Sequence, residues 1–183
     1  MASMRADAHR NRERILAAAT AAFAAANGAP VSLEAVARDA GIGIGTLYRH
    51  FPNREALVTA VYQAELVEVS ASAGVLLQRH PPLVALRRWM DRYAAFVAAK
   101  QGMAESLGAI FASGTVDAGD TRTSIVGAVE ALLRAGAQDG SLRADVAPDD
   151  VVASLIGIAM ASGSAAQANR MRHLLIDGLV TAR

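Results

Sequence analysis

Apolar residues recur along most of this chain at the three- and four-residue spacing of amphipathic helices. The first such stripe begins at Ile15 and predicts a helix that ends near Asn27-Gly28, behind a loose arm over residues 1 to 8. Two short helices are predicted next, over residues 33 to 40 and 44 to 51.

Pro52 breaks this pattern, and Asn53 is a suitable N-cap for a long fourth helix that continues into the seventies. Beyond Pro81-Pro82 the periodicity predicts five helical segments, at about 83 to 100, 104 to 113, 121 to 138, 149 to 166 and 168 to 181. A polar hinge near Gln167 separates the last two of these helices. The chain is therefore predicted to be all-α, with about nine helices.

Composition supports this prediction, because alanine is abundant, prolines number 5 and aromatic residues make up 4% of the chain. The absence of cysteine excludes disulfides, thiolate catalysis and Cys-ligated zinc. The N-terminus shows no apolar signal segment, and the longest uncharged stretch, residues 151 to 169, contains several polar side chains. We expect a cytoplasmic protein without a membrane span, in which that stretch is a buried helix.

Net charge is only +1, but residues 1 to 60 carry seven arginines against five acidic residues. The basic surplus therefore lies at the N-terminal end, where it gives weak support for contact with nucleic acid.

The segment from 32 to 51 has the pattern of two short helices joined by a tight turn. Gly41 supplies the turn, where a positive φ is favourable only for glycine, and Ser32 is placed to cap the first helix. Ala37 is small where the second helix passes over the first. Three apolar side chains are expected to point inward: Val36, Ile42 and Leu47. The second helix of such a helix-turn-helix is the one that enters the DNA major groove.

The stretch Gly-Ile-Gly-Ile-Gly-Thr-Leu-Tyr-Arg-His-Phe-Pro-Asn-Arg-Glu-Ala-Leu, over residues 41 to 57, resembles the signature of TetR-type repressors. The resemblance covers about residues 10 to 62. It rests on Gly-Thr-Leu-Tyr followed by His-Phe, and on the basic-acidic pair that opens the fourth helix. A looser resemblance to the sensor domains of one TetR subgroup runs from Trp89 to Leu107.

This resemblance implies DNA contacts for the side chains on and around the second helix of the motif. Thr46 and Tyr48 lie where the family contacts DNA, and His50 and Arg54 lie where it touches the backbone. With flanking contacts added, the predicted DNA-binding set is Ser32, Ile44, Gly45, Thr46, Tyr48, Arg49, His50 and Arg54.

The same helix departs from many relatives, because it has Gly43 and Ile44 where a polar or basic residue is common. Direct hydrogen-bond readout would therefore depend on few side chains, such as Thr46 and Arg49. Two alternatives stay open at this stage. Ile44 could meet a thymine methyl group or pack on its neighbours, and Tyr48 could be a core residue instead of a DNA contact.

No pattern in the sequence indicates catalysis, a metal or a cofactor. The glycines at 41, 43 and 45 follow a predicted helix rather than a strand, which argues against a dinucleotide-binding loop. None of the four histidines has a partner at the spacing of a metal site, and no Gly-x-Ser-x-Gly elbow is present. We expect a protein that is not an enzyme.

The C-terminal half places its only tryptophan, Trp89, on one helical face with Tyr93 and Phe96. The resemblance implies a cavity between helices here and an apolar small-molecule effector. The predicted ligand-binding set is Trp89, Tyr93, Phe96, Met103, Leu107, Phe111 and Met160. Ordinary core packing of these side chains is the alternative.

Small residues recur every fourth position on the penultimate helix, where two helices could approach closely. In an alanine-rich chain this ridge could also arise by chance. The resemblance places the dimer interface in this region, from about residue 149 onward. The predicted interface residues are Val152, Ala153, Ile156, Gly157, Met160, Ala161, Leu174, Leu175 and Leu179.

Three functional regions are predicted: a helix-turn-helix DNA-binding domain over 1–52, a connecting helix over 53–80, and a ligand-sensing and dimerisation domain over 81–183. The leading hypothesis is a ligand-responsive repressor that binds a palindromic, double-stranded DNA operator as a homodimer. A DNA-binding factor that needs no ligand is a second hypothesis. A helical carrier or enzyme for hydrophobic small molecules is a third, and the helix-turn-helix pattern disfavours it.

Overall fold

A computed structural model describes residues 2–26, 29–101 and 103–181, and within these ranges the chain forms nine α-helices. The helices are α1 (Ala2–Ala25), α2 (Leu33–Asp39), α3 (Ile44–His50), α4 (Arg54–Arg79), α5 (Pro82–Gln101), α6 (Ala104–Ala112), α7 (Ala118–Gln138), α8 (Pro148–Ala161) and α9 (Ala165–Leu179). The all-α prediction with about nine helices is confirmed. The predicted helix end at Asn27-Gly28 lies outside the described residues.

The start of the chain differs from the prediction of a loose arm, because α1 is helical from Ala2 onward. Arg10 and Asp7 form an ion pair one turn apart, and His9 lies 3.3 Å from Glu13 (Nδ1 to Oε1). Such pairs support a helix whose alanine and arginine residues already favour it.

The junction between the last two helices also differs from the predicted hinge. Helix α8 ends at Ala161, and the hydroxyl of Ser164 caps α9 by accepting a hydrogen bond from the backbone N–H of Gln167, at 3.2 Å. Gln167 therefore lies in the first turn of α9, because a serine N-cap three residues earlier fixes where the helix begins.

By its contacts the chain divides into two compact units that do not follow chain order. Unit 1 contains residues 1–65 and 98–117, and unit 2 contains residues 66–97 and 118–183. Helix α6 thus belongs to unit 1, although it lies in the C-terminal half of the sequence. The predicted division at residues 52 and 80 concerns functional regions and stays a prediction.

The core of unit 1 joins α1, α2, α3, the first half of α4, and α6. Its fully buried side chains include Phe23, Leu47 and Tyr62, and Arg54 lies half-buried at the N-terminus of α4. Asn53 caps α4, because its Oδ1 accepts a hydrogen bond of 2.8 Å from the N–H of Ala56. The predicted N-cap of the fourth helix is confirmed.

In unit 2, the loop after α7 packs closely on that helix. Gly136 lies on the buried side of α7, and a Cβ added there would collide with the side chain of Leu142. Leu142 forms an isolated antiparallel bridge with Val180, and Arg143 donates from Nη1 to the carbonyl of Gly178 at 3.2 Å. These contacts fix the end of α9 beside the start of the loop that leads to α8.

One helix in the described part of the chain, α4, is long and apolar enough to cross a membrane by length and composition alone. The core helices of soluble proteins pass the same test, so this is weak evidence for a span. The uncharged stretch that begins at 151 is interrupted after Ala161, which leaves α8 with 14 residues, fewer than the ~20 of a typical span.

Candidate nucleic-acid interface

The turn between α2 and α3 has the geometry that the sequence predicts. Ser32 caps α2 by accepting a hydrogen bond of 3.3 Å from the N–H of Ala35. Gly41 has a φ of +64°, a conformation that costs other residues energy, and its carbonyl accepts a hydrogen bond from Nη2 of Arg14 at 3.4 Å. Ser32 also donates to Glu34 at 2.7 Å, which lowers the pKa of that carboxyl group.

Apolar contacts hold the inner faces of these two helices. Val36 and Leu47 are fully buried, and Ala37 is buried where the helices cross. Ile42 is only half-buried, because it lies in the turn itself rather than on a helix. The guanidinium of Arg12 lies 5.1 Å from the ring of Phe51, over the residue that ends α3.

The opposite face of α3 is open to solvent. Ile44 is 36% exposed and Tyr48 is 44% exposed, one turn apart on the same face. Gly45 and Arg49 follow the same exposed side, while Thr46 is half-buried. Exposure at this level disfavours the alternative in which Tyr48 is a core residue. The exposed face therefore carries one aromatic, one aliphatic and one cationic side chain close together.

The remaining predicted DNA contacts lie around this helix. Ser32 is exposed at the start of α2, and His50 is half-buried at the end of α3. Together with Arg12, His50 lines an open cleft of about 640 Å³ within unit 1. Arg12 is not among the predicted DNA contacts, and the only sequence signal for it is the basic surplus of the N-terminal segment.

Arg54 differs from the other predicted contacts because its donors point into the protein. Its Nη1 donates to the carbonyl of Val31 at 2.6 Å, and its Nε donates to the hydroxyl of Ser106 at 3.3 Å. The guanidinium carbon also lies 5.6 Å from the ring centre of Phe23. The structure thus places Arg54 between α1, α6 and the loop that precedes α2, all in unit 1.

Comparison with known proteins agrees with this arrangement of helices. Residues 15–61 match the family described as bacterial regulatory proteins, tetR family. Residues 81–181, more than half of the chain, match the C-terminal domain of SbtR-like transcriptional regulators. The chain belongs to the TetR family of transcriptional regulators.

Two of the solved TetR structures that resemble this chain match it over nearly its whole length. A TetR transcriptional regulator from Streptomyces coelicolor is 43% identical, with a TM-score of 0.84 over 94% of this chain and 99% of that one. A TetR transcription regulatory protein from Mycobacterium vanbaalenii is 32% identical, with a TM-score of 0.75 over 97% and 99% of the two chains.

The curated relatives match over a shorter segment. An HTH-type transcriptional regulator from Staphylococcus aureus (strain USA300) is 41% identical over 63 residues, which is 34% of this chain and 34% of the relative. The match therefore spans about a third of the length of these curated relatives.

The predicted ligand-binding residues of this TetR protein fall into separate groups. In unit 2, the rings of Trp89 and Tyr93 stack at 5.3 Å with an angle of 8°, and Phe96 follows at 6.1 Å from Tyr93. Trp89 is fully buried and donates from Nε1 to the carbonyl of Val69 at 3.0 Å. These three residues form one aromatic cluster on α5, as the helical spacing predicts.

A second group lies in unit 1, where Met103 and Leu107 are buried near the end of α5 and along α6. Phe111 meets the buried ring of Tyr62 edge-to-face at 5.6 Å. The ammonium of Lys100 lies 5.2 Å from the Tyr62 ring centre and 5.9 Å from that of Phe111, and its burial lowers its pKa. Lys100 is the only lysine in the sequence, and nothing in its helical pattern marked it as part of this group.

The structure corrects the prediction for Met160. Its side chain is 81% exposed on α8, because that position faces away from the core that Val151 and Leu155 build inside unit 2. Met160 therefore does not line a cavity within the chain. Its exposure is compatible with the other role predicted for it, in an interface between copies.

The predicted interface residues on α8 and α9 separate into an outer and an inner set. Met160 and Leu174 form the most exposed part, with Leu174 72% exposed. The other outward-facing positions are Ala153, Gly157 and Ala161, with Ile156 and Leu175 half-buried. Val152 and Leu179 are buried in the core of unit 2, which disfavours a contact with a second copy, and their interface role stays a prediction.

Metal binding was not predicted, and the described residues contain no group of three or more His, Cys, Asp or Glu side chains that could hold an ion.

Proposed function

We propose that this TetR-family protein is a ligand-responsive repressor that binds a palindromic operator in double-stranded DNA as a homodimer. The observation that carries the proposal is the division of α3 into a buried face at Leu47 and an exposed face at Ile44, Tyr48 and Arg49. A helix held from behind by a small core, with its outer face free, is the form in which helix-turn-helix proteins enter the major groove.

The exposed side chains favour recognition by few direct contacts. Arg49 makes no hydrogen bond or ion pair with the described residues, so its guanidinium is available to a phosphate or a guanine edge. Tyr48 can donate its hydroxyl to a phosphate, and Ile44 can contact a thymine methyl group. One helix-turn-helix contacts too few base pairs for high specificity. We therefore propose that two copies bind one operator, whose half-sites lie about 34 Å apart or a multiple of that distance.

The proposed effector is an apolar small molecule that contacts the aromatic cluster of Trp89, Tyr93 and Phe96. It would act as an effector only if it binds the DNA-competent and the released conformations with different affinities. A protein that acts on chromosomal DNA in a bacterium works in the cytoplasm, which is the location we propose.

Selection of bound fragments from a pool of random duplex DNA tests the proposal directly. We expect enrichment of a palindromic sequence, and an affinity for it that falls steeply with salt because bound phosphates release counterions. If the pool yields no enriched sequence, or if binding is unchanged between low and moderate salt, the chain is not an operator-binding repressor. Enrichment of a single half-site without symmetry would contradict the homodimer.

A further inference from the structure

Arg54 occupies the position at the start of α4 where the family resemblance implies a contact with the DNA backbone. In the structure its side chain is half-buried and its guanidinium meets other parts of the protein. One donor meets the carbonyl of Val31 at 2.6 Å, another meets the hydroxyl of Ser106 at 3.3 Å, and the guanidinium carbon lies 5.6 Å from the ring centre of Phe23. A planar guanidinium, whose donors have fixed directions, is suited to binding several partners at once in this way, and the ammonium of lysine is not.

The three partners of Arg54 lie in three different segments of unit 1, two helices and one loop. Phe23 is on α1, Ser106 is on α6, and Val31 directly precedes Ser32, the N-cap of α2. The carbonyl of Val31 therefore fixes the backbone at the point where the helix-turn-helix begins. Ser106 is 6% exposed, so its hydroxyl has little access to water and would be left without this partner if Arg54 moved.

From this geometry we propose that Arg54 is a positioning residue. It joins α6 to the first helix of the DNA-binding motif instead of neutralising a phosphate. This inference rests on the proposed function, since it concerns operator binding. A shift of α6 would pull on Ser106, then on Arg54, and through Val31 on the start of α2.

The two roles predict different salt dependences. A side chain that neutralises a phosphate contributes about 0.9 to the slope of log affinity against log salt concentration, so its removal lowers the slope by that amount for each phosphate left without a cation. A positioning residue changes affinity at all salt concentrations and leaves the slope unchanged. The experiment therefore measures operator affinity between low and moderate salt for Arg54→Gln, Ser106→Ala and the double variant.

We expect Arg54→Gln and Ser106→Ala each to weaken operator binding by roughly tenfold, about 1.4 kcal/mol, with the wild-type salt slope. The double variant should bind no more than about twofold worse than Arg54→Gln, because both changes break one junction. Arg54→Lys, which keeps the charge but cannot reach both partners, should not restore affinity. Arg49→Gln serves as the contrast and should lower the slope, and Ser124→Ala, at an exposed position on α7, should bind as wild type.

A lower slope for Arg54→Gln, full affinity for Ser106→Ala, or full rescue by Arg54→Lys would each overturn the proposal and restore the phosphate contact. Melting temperature and helical circular dichroism identify any variant that fails to fold. Should Arg54→Gln fail in this way, the slope and affinity of Ser106→Ala and Arg54→Lys decide the outcome. Absence of duplex binding by the wild-type protein would instead overturn the proposed function, and this inference with it. That failure is distinguishable because it appears without any substitution.

Discussion

Leu47 and Tyr48 are consecutive residues of α3 with opposite burial, because Leu47 is fully buried and Tyr48 is exposed over 44% of its surface. One side chain holds the helix in place and its neighbour is free to contact a partner. A substitution of Leu47 should therefore affect stability, whereas a substitution of Tyr48 should affect binding.

We expect Tyr48→Ala to weaken operator binding while the melting temperature stays near that of the wild type. Thr46→Ala should behave similarly, since Thr46 borders the same face and is half-buried. Leu47→Ala should instead lower the free energy of unfolding by about 2–5 kcal/mol, because it removes a buried side chain from a small core. Fluorescence anisotropy with labelled operator and thermal melts of all three variants check this. Normal operator binding by Tyr48→Ala would show that the exposed face of α3 is not the DNA-binding face.

Gly157→Arg tests the predicted interface on α8 and α9. A Cβ at Gly157 meets open space, so the substitution should leave the single chain folded. In a dimer built on this face it would put a bulky charge beside Met160 and Leu174, where two apolar surfaces meet. Sedimentation at micromolar concentration should show a wild-type dimer and a monomeric variant.

Gly127→Arg on α7 is the matched control, because a Cβ at Gly127 also meets open space. It should remain dimeric. A wild-type monomer, or a Gly157→Arg protein that is still dimeric, would place the interface elsewhere or remove it.

Trp89 should report effector binding, because its ring stacks on Tyr93 at 5.3 Å in the aromatic cluster. An apolar compound that contacts this cluster should shift the tryptophan emission and raise the melting temperature, since it binds the folded state only. The same compound should change operator affinity. The sensor role would lose its support if a broad set of hydrophobic compounds alters none of the three measurements.

Lys100→Met tests the cost of burying the only lysine of the chain. Burial lowers the pKa of Lys100 below 10.5 in the folded state, so folding disfavours its charged form. The resulting destabilisation is complete at neutral pH and is relieved as pH rises through the folded pKa towards 10.5. We expect Lys100→Met to melt at a higher temperature than the wild type at about pH 7, with a difference that shrinks towards about pH 10.

The opposite pattern would contradict this reasoning. If the wild type is the more stable protein at neutral pH and its advantage disappears at high pH, the contacts of the ammonium with the Tyr62 and Phe111 rings outweigh its desolvation.

The sequence predicted those features that local chemistry decides. The cap at Ser32, the positive φ of Gly41 and the buried Leu47 each follow from a short stretch of residues, and the structure confirms all three. The exposure of Tyr48 disfavours its alternative as a core residue, and the DNA contacts of Ile44 and Tyr48 stay predictions. The family assignment follows from the same stretch.

Features that depend on distant residues could not be predicted in this way. The internal contacts of Arg54 join it to Val31, 23 residues before it, and to Ser106, 52 residues after it. Helical spacing describes which residues share a face and does not state which helix that face meets, so α6 was assigned to the sensor region. Met160 shows the same limit, because an apolar residue at helical spacing fits a core and an exposed surface equally well.

Gly136 and Leu142 carry a consequence for the evolution of this protein. Glycine inside a helix costs about 1 kcal/mol relative to alanine, and at position 136 that cost allows the loop to lie directly against α7, where Leu142 occupies the space of a Cβ. The sizes of the two residues are therefore not independent. Homologues that keep this loop should vary the two positions together, with a smaller residue at 142 wherever alanine or serine replaces the glycine. Laboratory evolution of Gly136→Ala for regained stability should select compensating changes at position 142 before changes elsewhere.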